Sequence, residues 1–212
     1  MRCLCLLFCL LLAPAHGEII DRLAIAVGNQ VITELQLDEE LRVTAMLNRK
    51  PVVRDLEQRR AAADRLVEQL LIKLEMQLSR YELPDNADVD KYYSDIEEAN
   101  GGAADLEKTL RNFNLTPDVL RRHLELQLTE MKFIELRFRP DVTVSDADIE
   151  AAYQRQVTAW KQTHSGRPPT LEVSREPLRA MLEEEHTDAA LNAWLAESRK
   201  RVALVYLDKS LQ

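Results

Sequence analysis

No cysteine follows Cys9, and the chain holds only five glycines in 212 residues. All three cysteines (Cys3, Cys5, Cys9) crowd into the first ten positions. A domain built from the remainder has no thiol to cross-link, so its core alone must hold it together. Scarce glycine with abundant Leu, Ala, Glu and Arg points to a largely helical protein, and no Gly-rich phosphate loop is present. Surplus positive charge is also missing: 28 basic residues face 36 acidic ones, a net charge of −8. That balance argues against nucleic acid, whose phosphates demand a basic surface.

Long apolar runs are absent too, apart from Cys3–Leu12. With Arg2 before it and Ala13-Pro14-Ala15 or Ala15-His16-Gly17 after it, residues 1–17 read as a secretory signal peptide. The run is short of the roughly 20 residues a spanning helix needs. Bulky Phe8 ahead of Cys9 argues against a lipoprotein anchor. The mature chain is thus expected to be soluble and exported, with no membrane span. Setting the leader aside leaves about 195 of the 212 residues, and losing Arg2 takes the net charge from −8 to −9. That length suffices for one sizeable core or two small ones.

The stretch 18–41 reads as a β-hairpin leading into a helix. Leu23, Ile25 and Val27 alternate with Ala24 and Ala26, as in a strand with one demanding face. Gly28-Asn29 tolerates the positive φ of a tight turn, and Val31 and Ile32 resume the extended run. Thr33 with Gln36 makes a capping-box pattern for a helix to about Asn48. A second helix spans about 55–80 with an apolar stripe of Leu66, Val67, Leu70, Leu71, Leu74 and Leu78. A third covers about 88–99 and stops at Asn100-Gly101-Gly102; a short fourth gathers Leu106, Leu110 and Phe113. Thr116-Pro117 starts a fifth that runs to about Phe138. Its main stripe is Leu120, Leu124, Leu128, Met131, Ile134 and Phe138, with Leu126, Phe133 and Leu136 on roughly the opposite side. Ser145 caps a sixth helix; 163–170 is a loop; helices follow at about 174–185 and 187–200, continuous or not. Val202–Leu207 is a short β-rich end, and since a lone strand is not viable it should pair with the hairpin. The expected fold is mainly α with a small antiparallel β element, the N-terminal hairpin plus a C-terminal strand.

Catalytic chemistry is hard to find. His123 lacks a second histidine at helical spacing, and His164 lies in a polar loop. Glu183-Glu184-Glu185 before His186 points around a helix rather than at one ion. No nucleophile elbow stands out, and Pro117 disfavours glycosylation of the Asn114-Leu115-Thr116 sequon. The expectation is no catalytic, metal or cofactor site, and hence no enzyme. Surplus apolar surface is the better clue. Ile72 and Met76 fall off the second helix's stripe, as Leu126, Phe133 and Leu136 do on the fifth. These five residues either complete a core around central helices or line a groove for apolar segments of a client.

The segment Ile20–Thr33, IDRLAIAVGNQVIT, resembles the opening of the SurA family of periplasmic chaperones. The likeness continues through 66–78, 116–138, VTVSDADIEAAY at 142–153 and the ending 191–207, covering nearly the whole mature chain. In that family the segment matching 142–153 leads into a parvulin-type prolyl isomerase domain of roughly 90–100 residues, within ordinary domain size. Here only about 20 residues separate Tyr153 from Ser174. The resemblance therefore implies a chaperone core without the isomerase: one domain over 18–212, made of hairpin and helices (18–160), a loop in place of the parvulin domain (161–173), and closing helices and strand (174–212). It further implies ATP-independent binding of unfolded exported or outer-membrane proteins in the periplasm. The rivals are an envelope module with one dedicated partner and, further off, a prolyl isomerase.

Overall fold

The computed structural model describes residues 21–211; the expected signal peptide lies outside them. Two strands, β1 (Leu23–Val27) and β2 (Gln30–Thr33), form the hairpin, and β3 (Leu204–Tyr206) lies on the other side of β1. Both pairings are antiparallel, so the order is β2-β1-β3, and the two ends of the described chain meet in one sheet. Gly28 takes φ +60° at the turn. The alternation holds for Ile25 and Val27, which are buried, but Leu23 is 50% exposed and Ala24 is buried instead. A register shift between Leu23 and Ile25 inserts one residue and moves Leu23 to the other phase.

Seven helices follow in the described residues: α1 (Glu34–Leu47), α2 (Leu56–Leu78), α3 (Asn86–Ala99), α4 (Ala103–Asn112), α5 (Pro117–Arg137), α6 (Asp146–Thr163) and α7 (Leu171–Arg201). Five of them, α1, α2, α3, α5 and α6, start at side-chain caps that satisfy free backbone N–H groups. Thr33 and Gln36 form the expected capping box, Ser145 and Asp148 another, and Thr116 accepts from the Val119 N–H ahead of Pro117. The two C-terminal helices of the sequence reading are one, α7, which begins at Leu171 and runs through Pro177. Pro177 removes one backbone N–H near the helix start, on an exposed face where water can serve the freed carbonyl. The connection is accordingly 164–170, not 161–173.

Four apolar clusters fill the described interior. Ile25, Val27, Leu37, Val67 and Leu71 join the sheet to α1 and α2. Val43, Leu106, Leu110, Leu120 and Leu124 join α1, α4 and the first half of α5. Ile72, Met76, Phe133, Phe138 and Leu195 join α2, the second half of α5 and α7. Ile149, Ala152, Leu178 and Leu182 zip α6 to the first half of α7. Arg199 clamps α7 to α2 through Asp64 (3.0 Å) and Glu68 (2.9 Å). No helix of the described residues is long and apolar enough to cross a membrane.

Candidate functional site

The five apolar candidates divide. Ile72, Met76 and Phe133 are core: Phe133 is 0% exposed, stands edge-on to Phe138 (5.5 Å, 86°) and tilts against Trp194 (4.8 Å, 58°). Two residues of the apolar stripes are exposed instead: Met131 is 59% exposed, and Leu78 at the end of α2 is 80% exposed. The cause is a change of neighbours along α5. Its first half packs on α1 and α4, and its second half turns Phe133 toward α2 and α7. The buried side of the helix therefore rotates halfway along: the stripe that starts in the core at Leu120 and Leu124 comes to the surface at Met131, and Phe138 at its end is back in the core.

That rotation opens a groove of about 730 Å³ between α3 and α5. Pro84, Tyr92, Leu128, Met131 and Leu136 give it an apolar floor, and Leu136 is the only one of the five original candidates to line it. Asp88, Lys91 and Asp95 on α3 and Lys132 and Glu135 on α5 form a rim of both signs. Lys132 Nζ donates to the Leu83 carbonyl (3.5 Å), fixing the groove's end to the segment before α3. The volume falls in the range of ligand-sized clefts, and an adaptable thioether sits in its floor. Leu126, half-buried, lines a smaller cleft on another side of α5.

A buried polar junction, which the sequence reading missed, fastens α1 and α2 to the groove helix α5. Glu40 is only 4% exposed. It accepts from Arg65 Nε (2.9 Å), from Thr44 Oγ1 (3.1 Å) and from the His123 Nδ1–H (2.9 Å). Burial opposes ionisation of Glu40, but the hydrogen bonds and charges of His123 and Arg65 prevail and hold its carboxyl below the usual range. Glu130, on α5, behaves oppositely. Burial pushes its carboxyl up, and the Glu68 and Glu40 carboxylates push in the same direction. Among the described residues His123 Nε2 has no hydrogen-bond partner, and the adjoining cavity measures about 100 Å³. The arrangement orients helices. Glu40 and His123 stand 83 positions apart, beyond the reach of any local motif.

His186 is exposed on α7 with Glu184 and Glu185, and His164 stacks on Trp160 (4.0 Å between ring centres) at the end of α6. No group of three or more His, Cys, Asp or Glu able to hold a metal ion occurs among the described residues. No protein-family model matches the chain, and no curated protein matches it.

Proposed function

We propose that the chain is an ATP-independent holdase of the SurA type, acting in the periplasm on unfolded exported or outer-membrane polypeptides. The observation that carries this reading is the α3–α5 groove, with Met131 and Leu136 exposed in an apolar floor of about 730 Å³. Isolated exposed apolar residues are ordinary, but a contiguous patch rimmed by polar groups marks a binding surface. Rim charges of both signs suit clients of varied sequence, since neither sign is repelled along the whole groove. Shallow apolar contacts give weak, reversible binding, so release needs no nucleotide.

Suppression of aggregation of a urea-unfolded outer-membrane protein tests the proposal. The native chain should suppress light scattering at several-fold molar excess. The double variant Met131→Ser, Leu136→Ser should lose most of that effect while keeping its melting temperature. Equal suppression by both proteins would remove the groove from the proposal, and no suppression by the native chain would sink it. Capture of one stoichiometric partner in place of many clients would favour the dedicated envelope module.

A further inference from the structure

The hairpin has a free edge, and its hydrogen bonds show which residue presents it. Gly28 N–H donates to the Ala203 carbonyl (2.8 Å), and the Ala24 carbonyl accepts from the Leu207 N–H (2.8 Å). Backbone groups alternate sides along a strand, so Ala24, Ala26 and Gly28 turn toward β3, while Ile25 and Val27 turn toward β2. Ile25 faces Ile32 and Val27 faces Gln30, and these pairs carry the β1–β2 ladder. Val31, opposite Ala26, therefore directs its N–H and C=O outward from the sheet.

Alongside this edge lies a cleft of about 250 Å³ between β2, α2 and α5. Ile32, Leu66, Leu70 and Leu126 supply apolar walls. Gln69 also lines it; this side chain is only 6% exposed, and its Oε1 accepts no hydrogen bond. A buried carbonyl without a donor is costly, so it favours an occupant that brings one. The cations at the cleft are already paired, Arg122 with Glu39 (3.2 Å) and Lys73 with Glu125 (3.4 Å), so no net charge selects a charged ligand. An open backbone edge, apolar walls and a lone acceptor together match the two demands of strand addition: main-chain bonding and a side-chain pocket.

We propose that this cleft binds an extended, uncharged polypeptide segment, which adds beside Val31 as a fourth strand and turns a hydroxyl or amide side chain onto Gln69. The site lies on a different side of α5 from the α3–α5 groove and does not rest on the holdase reading. It adds backbone recognition, which is indifferent to sequence, to whatever side-chain contacts the groove makes.

The test uses a capped, fluorescent peptide of alternating Thr and Val, titrated with the full chain and followed by anisotropy. Val31→Pro deletes the outward N–H while sparing the β1–β2 ladder, a position where edge strands tolerate proline. This variant should bind at least tenfold more weakly. Gln69→Leu should weaken the Thr-Val peptide about threefold to fivefold and leave an all-Val peptide unchanged. Amide hydrogen exchange on the native chain gives a readout free of any folding defect: saturating peptide should slow exchange at Val31. Absence of binding up to millimolar peptide, equal affinity of Val31→Pro, or unaltered exchange at Val31 in the bound state would each overturn the proposal. Met131→Ser, Leu136→Ser should bind this peptide normally, so loss of aggregation suppression and loss of strand addition fail separately.

Discussion

Replacing Phe133 with alanine should cost about 4 kcal/mol of folding free energy. Phe→Ala in a well-packed core costs roughly 3–5 kcal/mol, combining lost transfer energy and the cavity left behind. Phe133 belongs in the upper half of that range, because its 0% exposed ring contacts both Phe138 and Trp194. Aromatic pairs add about 0.5–1.5 kcal/mol beyond area burial, and both are lost at once. In a domain of this size each kcal/mol moves the melting temperature by about 2–4 °C, so a fall of about 8–16 °C is expected. Guanidinium unfolding followed by far-UV circular dichroism and by tryptophan emission would measure it. The midpoint should drop with an unchanged denaturant slope, and the Trp194 environment should change in the native baseline. Met131→Ser, at a 59% exposed position, should move the midpoint little and serves as the control. A loss below about 1 kcal/mol at Phe133, accompanied by weakened client binding, would refute the reasoning, because it would place the ring in the groove and not between α2, α5 and α7.

Glu130→Gln should stabilise the protein at neutral pH. The native carboxyl is raised by burial and by Glu68 and Glu40, so its favourable contribution exists below the unfolded-state value of about 4.3 and is lost as pH rises through the higher native value. The gain in melting temperature should therefore shrink toward acid pH; a gain that is the same at pH 4 and pH 7 would contradict it. Glu40→Ala should cost about 3 kcal/mol by leaving His123 buried without its partner, at the low end for a broken buried pair because Arg65 can reach water. The native contribution of Glu40, whose carboxyl is held low, is present above the unfolded-state value and lost as pH falls through the native one, so acid should narrow the gap between native and variant melting temperatures. Gly28→Ala should cost about 1–2 kcal/mol, because φ is +60° while the new Cβ would make only ordinary contact with Val202 Cγ1 at 3.4 Å; thermal melts report it directly.

The sequence was readable wherever the determinant was local. Thr33 with Gln36, Ser145 with Asp148 and Thr116 with Pro117 each announce a helix start by bonds spanning three residues. The pairing of β3 with the hairpin was foreseeable because a lone strand needs another strand to bond with; that the partner is β1 was not. Legibility failed where packing partners change along an element. Periodicity follows one face of α5, but the core passes from one face to another between Leu124 and Phe133, and only the positions of α2 and α7 decide where. The bulge that expels Leu23 is equally silent in an alternating pattern. Nothing local to Glu40 signals its burial, because the histidine and arginine that neutralise it lie on α5 and α2. Gln69 reads as an ordinary polar position on α2 until the edge of β2 is placed beside it.

The central strand β1 has a consequence for the order of events in time. It is bracketed by one neighbour that follows it at once, β2, and by another, β3, separated from it by about 175 residues. During synthesis at roughly 5–20 residues per second, the hairpin would wait about ten to thirty seconds for its third strand. Closing so long a loop also carries a chain-entropy cost that grows as the logarithm of its length. Until β3 arrives, β1 offers its second side to any passing strand. Newly made copies thus share an interval in which they can pair with one another, and that interval ends only when β3 itself is delivered.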